Sequence, residues 1–383
     1  MSKIFSARSL VPVLCGHLFF GLMLTGASRA QTPKAPAITS PQVLPDRQVA
    51  FRVYAPNARE VQVAGDWLRR GESPTAMEKG ADGVWSVTVG PLPPGVYGYT
   101  FLVDGVRTTD QANSRAMFIA GRSASSVVEV RGDRPLPWEE RNVPRGTLHI
   151  EAYHSTLQDC ERRFAVYTPP GYNSRRREKY PVLVLLPGTP GNESDWINVG
   201  LAHRIFDNLL ADRKLVEMVA LMPPADVLRK GGTRADNLKE FEQLLLKEIL
   251  PLFEQRYHVH RRPDGRAITG LSLGGELALT VGLRHPEIFQ WIASFSGSLF
   301  EKDFADRFGA FLDRPDAVSK APQFIWIGCG SGDLFLPGSK KLSEILKAKG
   351  IRHTLRETEG YHTWLVWRPF LAEVLPLLFR RQT

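Results

Sequence analysis

The sequence predicts an α/β domain on a mostly parallel sheet, preceded by a small immunoglobulin-like β-sandwich. Three observations carry that prediction. From about residue 148 onward, apolar runs such as "YPVLVLLPG", "EMVALMPPA", "WIASFSG" and "QFIWIGCG" alternate with amphipathic stretches. Strands apolar on both faces belong to a parallel sheet covered by helices. Between about Gln48 and Arg131, by contrast, short alternating runs are separated by Pro, Gly, Asn and Asp turns, which is the spacing of a β-sandwich. Between the two, "DRPLPWEERNVPRGT" mixes prolines and charges with neither period, as a linker or interdomain strap does. A chain of 383 residues also exceeds one usual core, and 43% hydrophobic with 23% charged residues is the balance of a folded protein.

In chain order, residues 1–30 read as a signal peptide. Lys3 and Arg8 precede "LVPVLCGHLFFGLMLTGA", and Ser28 and Ala30 supply small residues before Gln31. No other apolar run approaches the ~20 residues of a membrane span, so the expectation is an exported protein, secreted or periplasmic, with no membrane contact after cleavage. Residues 31–46, rich in Pro, Ala, Thr and Gln, read as a flexible tether. The sandwich follows at 47–131, with "VAFRVYA", "EVQVAGDW", "GVWSVTVG", "GVYGYTFLVDG" and "SSVVEVRG" as strands. The linker is placed at 132–147 and the α/β domain at 148–383.

Inside that domain the order is a strand from "ERRFAVYTPPGY", the strand "YPVLVLLPG", a helix around "LAHRIFDNLLADRKL", the strand "EMVALMPPA" and a long helix from Asn237 to Tyr257. Then come the strand "RAITG", a helix from Gly275 to Arg284, and the strands "WIASFSG" and "QFIWIGCG". The pattern G-x-S-x-G at Gly270–Gly274 is a weak signal by itself, since Gly and Ser are common. Its context strengthens it: a strand enters, a small-residue helix leaves, and glycines flank Ser272 as a strained strand-to-helix turn requires. This is the nucleophile elbow of α/β-hydrolases, with Ser272 as nucleophile and the helix N-terminus aimed at the same spot.

A serine hydroxyl needs a base, and this fold supplies acid and then His after the nucleophile. His285 ends the nucleophile helix and His353 lies in a strand-like segment, which leaves His362, on a loop after the last strand, as the base. Asp333, beyond a glycine turn at the carboxyl end of the strand "FIWIGCG", is the expected acid, while Asp303, Asp306, Asp313 and Asp316 read as surface. The backbone N–H of Leu273 is one oxyanion donor by position. Thr189, in the loop of "VLVLLPGTPGNESDW", is assigned as the second, with Gly188 allowing the close approach. Trp196 and Trp364 are placed near substrate.

The runs "RRFAVYTPPGY", "LLPGTPGNESDW", "RAITGLSLGG", "GSGDLF" and "GYHTWLVWR" together resemble the esterase D-like α/β-hydrolases. That group includes feruloyl and acetyl-xylan esterases of carbohydrate esterase family 1, siderophore (enterochelin-type) esterases and mycolyltransferases. The resemblance covers nearly all of the second domain and implies Ser272, Asp333 and His362 as the triad. One departure is Pro187, where relatives usually read "LLHG". The sandwich resembles carbohydrate-binding module family 48 in "VAGDW", "GVWSVTV", "GVYGYTFLVDG" and "DQAN". That likeness makes Trp67 and Trp85 candidates for stacking on sugars, against the alternative that both are core aromatics of a bracing domain.

The function expected from these residues is an exported serine esterase acting through an acyl-serine on feruloyl or acetyl esters of plant polysaccharide. A siderophore trilactone esterase and a non-catalytic carbohydrate-binding protein are the alternatives. No cofactor is expected and no metal: His258 and His260 in "YHVH" have no third ligand in view. The formal charge of +9 is spread out, falls to +6 without Lys3, Arg8 and Arg29, and comes with no stacking or groove-reading motif, so nucleic acid is not an expected partner. Cys160 and Cys329 read as two buried small apolar residues rather than a disulfide.

Overall fold

The computed structural model describes residues 36–69, 71–118, 123–225, 227, 232–314 and 316–380. The signal-peptide expectation for 1–30 and the first part of the tether lie outside the described residues. Both domains fall within one compact unit, Ala37–Thr383.

The sandwich forms because apolar residues alternate along strands whose two sheets face each other. One antiparallel sheet runs Gln42–Val43, Val49–Tyr54, Val84–Val89, Glu78–Lys79. The other runs Thr75–Ala76, Val61–Gly65, Gly95–Val103, Ser125–Val130, Ala116–Met117. Val49, Phe51, Val63, Tyr99, Phe101 and Val130 close the space between them. The predicted tether therefore ends early: Gln42 and Val43 pair with Ala50 and Val49, and the Ser40 hydroxyl accepts the Arg52 N–H at 3.0 Å. The linker is a strap. Trp138 is buried in the apolar cluster of the α/β domain, and the Asn208 amide donates to the carbonyls of Pro137 and Glu139 at 2.7 and 2.9 Å.

Among the described residues the α/β domain holds eight strands: β1 (Thr147–Ser155), β2 (Cys160–Thr168), β3 (Val182–Leu186), β4 (Val219–Met222), β5 (Arg266–Leu271), β6 (Trp291–Phe295), β7 (Phe324–Gly330) and β8 (Thr354–Thr358). Their order across the sheet is β1-β2-β4-β3-β5-β6-β7-β8, antiparallel up to β4 and parallel from there on. Register explains why these strands read as unbroken apolar runs. The row Val184, Ile268, Ile292, Ile325 packs into one helical layer, and the neighbouring row Leu183, Ala267, Trp291, Phe324 packs into the other. The long predicted helix begins at Arg234, ahead of Asn237, because Thr233 and Asp236 form a reciprocal cap. It passes through a π turn at Leu245–Ile249 before ending at Arg256.

The sandwich is docked on this domain through apolar surface. Val96, Met117 and Val127 join the same cluster as Trp364, Trp367 and Phe370. Across the seam, the buried Arg368 donates from Nε to the Val199 carbonyl at 2.9 Å and from Nη1 to the Val96 carbonyl at 3.0 Å. No helix among the described residues is long and apolar enough to cross a membrane.

Candidate active site

Ser272 stands between β5 and the helix Leu273–Arg284 with φ 53° and ψ −119°, a sparsely populated conformation for a side-chain-bearing residue. Such strain costs about 1–3 kcal/mol and persists only where the surroundings impose it. They do so by close packing: a Cβ on Gly270 would lie 2.6 Å from the Gly274 carbonyl carbon and 2.7 Å from Leu186 Cβ. Strand and helix can meet this tightly only through glycine. From below, the Ser298 N–H donates to the Ser272 carbonyl at 3.1 Å, and the Ser298 segment is tied to a buried Glu276 that pairs with Arg307 at 2.9 Å and with Arg234.

His362 lies on the short loop after β8. Gly360, at φ 128°, turns that loop back over the end of β7 in a conformation disfavoured for any residue with a Cβ. The ring Nε2 sits 3.0 Å from Ser272 Oγ, and Nδ1 sits 2.9 Å from Asp333 Oδ2. The Asp333 side chain is fully buried, and its other oxygen accepts the Phe335 N–H at 2.9 Å. Burial raises this carboxyl, but the hydrogen bond and charge of His362, with the Phe335 N–H, outweigh burial and hold it below the usual carboxylate range. Asp333 is thus anionic where His362 needs an orienting acceptor. Edge-on contacts from Phe335 at 5.1 Å and Trp367 at 4.8 Å fix the imidazole plane.

The three residues predicted as the triad are therefore brought together. The rejected candidates lie elsewhere: His285 is held by Glu242 and Glu287, His353 by Ser343 and the Ile351 carbonyl, and Asp316 pairs with Arg314. Gly188 and Thr189 border the cavity in front of Ser272, where a Cβ on Gly188 would stand 3.1 Å from Ser272 Cβ. Leu273 supplies the first N–H of the nucleophile helix.

Two aromatic placements need correcting. Trp364 borders the cavity, but Trp196 does not: it is 1% exposed, donates from its indole to the Leu186 carbonyl at 2.8 Å, and stands edge-on behind Trp364 at 5.0 Å. Its role is to prop Trp364. Trp367, three residues further along the same helix face, takes the place expected of Trp196. Trp85 is a core residue of the sandwich, buried and bonded to the Ala55 carbonyl, and Trp67 is packed on Phe51 at 5.3 Å. Trp85 therefore offers no open face to a sugar, and Trp67 lies partly buried against the sandwich core.

The sequence reading missed the other side of the cavity altogether. Asp66, Gly98, Met117, Ser123 and Ser125, all from the sandwich, border the same space as Ser272 and His362. Of the two cysteines expected to be buried, Cys329 is, but Cys160 is exposed at the start of its strand; both are free, and burial together with the nearby Asp333 pushes the Cys329 thiol up to about 12.

Residues 155–378 match the model of the family described as putative esterase, and residues 39–115 match carbohydrate-binding module 48, the isoamylase N-terminal domain. An endo-1,4-beta-xylanase/feruloyl esterase from Xylanibacter ruminicola is 29% identical over 347 residues, covering 89% of this chain and 46% of that protein. An acetyl esterase from Caldicellulosiruptor saccharolyticus is 25% identical over 230 residues, 51% of this chain and 82% of its own. The chain spans about half the length of the first curated relatives it matches. Among solved structures, the enterobactin esterase of Shigella flexneri superposes with a TM-score of 0.68 at 21% identity, covering 88% of this chain and 95% of that one. A ferulic acid esterase superposes with a TM-score of 0.55 at 23% identity, covering 62% and 99%.

Proposed function

Since the chain belongs to the putative esterase family, we propose that it is a serine carboxylic-ester hydrolase whose substrates are feruloyl or acetyl esters of plant polysaccharide. The observation that carries the chemistry is the unbroken line from Ser272 Oγ through His362 to the buried Asp333, at 3.0 and 2.9 Å, opening on a cavity. In this reading Ser272 Oγ attacks the ester carbonyl carbon as His362 Nε2 takes the hydroxyl proton. Asp333 stabilises the imidazolium without taking a proton itself. The carbonyl oxygen becomes an oxyanion, received by the N–H groups of Leu273 and Thr189. Collapse expels the alcohol, which leaves with the proton from His362, and an acyl-Ser272 remains. Water, deprotonated by the same imidazole, then attacks the acyl carbon and regenerates Ser272 as the acid departs.

The polysaccharide ester reading is supported by the xylanase/feruloyl esterase relative, which spans both domains of this chain. Export, read from residues 1–30, suits a polymer substrate that cannot enter the cell. A trilactone ester is the second reading, supported by the two-domain superposition on the enterobactin esterase. Release assays on feruloyl, cinnamoyl, acetyl and trilactone esters with purified protein decide between them. Turnover of the feruloyl or acetyl esters well above the trilactone is expected, and the reverse order replaces the first reading with the second.

A further inference from the structure

The strand Gly95–Val103 has two faces with different duties. Tyr97, Tyr99 and Phe101 point into the sandwich core, whereas Val96 packs into the α/β domain and Gly98 borders the catalytic cavity. Glycine in a strand interior is destabilising relative to alanine and commonly marks a place where a ligand or another backbone comes close. At Gly98 the free space is narrow, because a Cβ there would stand 3.1 Å from Met117 Cε and 3.2 Å from Asp66 Oδ2. The wall is also pinned. The Asp66 N–H donates to the Gly98 carbonyl at 3.0 Å, and the Gly98 N–H returns a bond to Asp66 Oδ2 at 2.7 Å.

We propose that Gly98 and Met117 set the size of the acyl pocket, which makes the amino-terminal sandwich a specificity element of the active site. The inference rests on the ester-hydrolase reading. The alcohol side of a polysaccharide ester is a polymer that has to continue along open surface, so the partly enclosed space of about 260 Å³ beside Ser272 is left for the acyl group. Trp364 and Trp367 border that space on one side, and the Met117 thioether, a favourable neighbour for aromatic rings, stands on the sandwich side. On this proposal a planar aromatic acyl group takes the space between them and reaches the bare backbone of Gly98. An acetyl group leaves that part of the pocket unused.

The test uses the full-length protein and reads a ratio. Gly98→Ala is expected to lower kcat/KM for feruloyl relative to acetyl esters of one alcohol by about tenfold, the scale of one methyl group in a tight pocket. Met117→Ala, which widens the pocket, is expected to raise the ratio of the bulkier dimethoxylated sinapoyl ester to the feruloyl ester. Equal changes on small and large acyl groups in both variants overturn the proposal while leaving the esterase reading intact. If the wild type hydrolyses none of the esters, the esterase reading fails instead. The pocket is then read from the rate at which Ser272 is labelled by fluorophosphonates bearing a methyl or an aryl group. A methyl-to-aryl rate ratio unchanged by Gly98→Ala overturns the proposal in that case too.

Discussion

Two walls face each other across one cavity, and they are made in opposite ways. The α/β wall is assembled from strand ends and the loops that leave them: Ser272 after β5, Asp333 after β7, His362 after β8, each held by backbone geometry and buried hydrogen bonds. Among the described residues the sandwich wall holds no such line of proton-transferring groups; its bare glycine, thioether and hydroxyls, with the Asp66 carboxylate tied to the Gly98 N–H, shape space instead. Reactivity here depends on how three side chains meet within one domain, while selection among substrates, on the pocket proposed above, depends on how two domains dock. The two properties should therefore come apart under mutation.

The largest effect is expected on the α/β side. Ser272→Ala removes the nucleophile and should lower kcat by about 10⁶-fold, if it follows other serine hydrolases, with an unchanged melting temperature by circular dichroism. Retention of a tenth of wild-type turnover removes Ser272 from its role. Asp333→Asn keeps the shape but offers His362 the wrong partner, so a loss of about 10⁴-fold is expected. A larger loss from Asp306→Asn in the same assay would identify a different carboxylate.

At the seam itself, Arg368→Met leaves the Val96 and Val199 carbonyls buried without their donors. A loss of roughly 2 kcal/mol of unfolding free energy is expected from two such bonds, measured by urea titration, with a smaller fall in turnover than either triad variant. Unchanged stability would mean that the Arg368 bonds contribute nothing to holding the sandwich on the α/β domain.

An effect seen only below neutral pH concerns the strap side. Burial, then the charges of Arg204 and Arg145, lower His203 to about 4 in the folded protein. Between its ordinary value and that one the unfolded chain binds a proton that the folded chain refuses, so stability is present above the ordinary value and declines as pH falls from about 6.5 toward 4. The melting temperature should drop over that window, and His203→Gln should flatten part of the drop. Identical pH profiles for the two proteins would show that His203 is not the group responsible.

What could be read from the sequence follows the same division. Ser272, Asp333 and His362 were legible because each sits at a fixed point in a strand-loop-helix rhythm, and the fold dictates their order along the chain. Trp196 was misplaced because the helix Asp195–Asn198 is a single turn, and a one-residue rotation there decides whether an indole faces the cavity or the core. Gly98 was overlooked for a different reason. Its strand alternates as any sandwich strand does, and only docking reveals that the outward face has a neighbour. The one available hint was a glycine amid aromatic residues in "VYGYTF".

Arg368 also bears on how such proteins can be recombined. It lies four residues after Trp364 on the helix that follows His362, yet one of its anchors is a main-chain carbonyl of the sandwich. Exchanging the sandwich for that of a distant relative at the strap would preserve every catalytic side chain and still change where the His362 helix comes to rest. Successful chimaeras should be those in which the incoming strand presents a carbonyl at the position of Val96, whatever its side chains, so compatibility between these halves is written in backbone geometry that an alignment of residue types does not display.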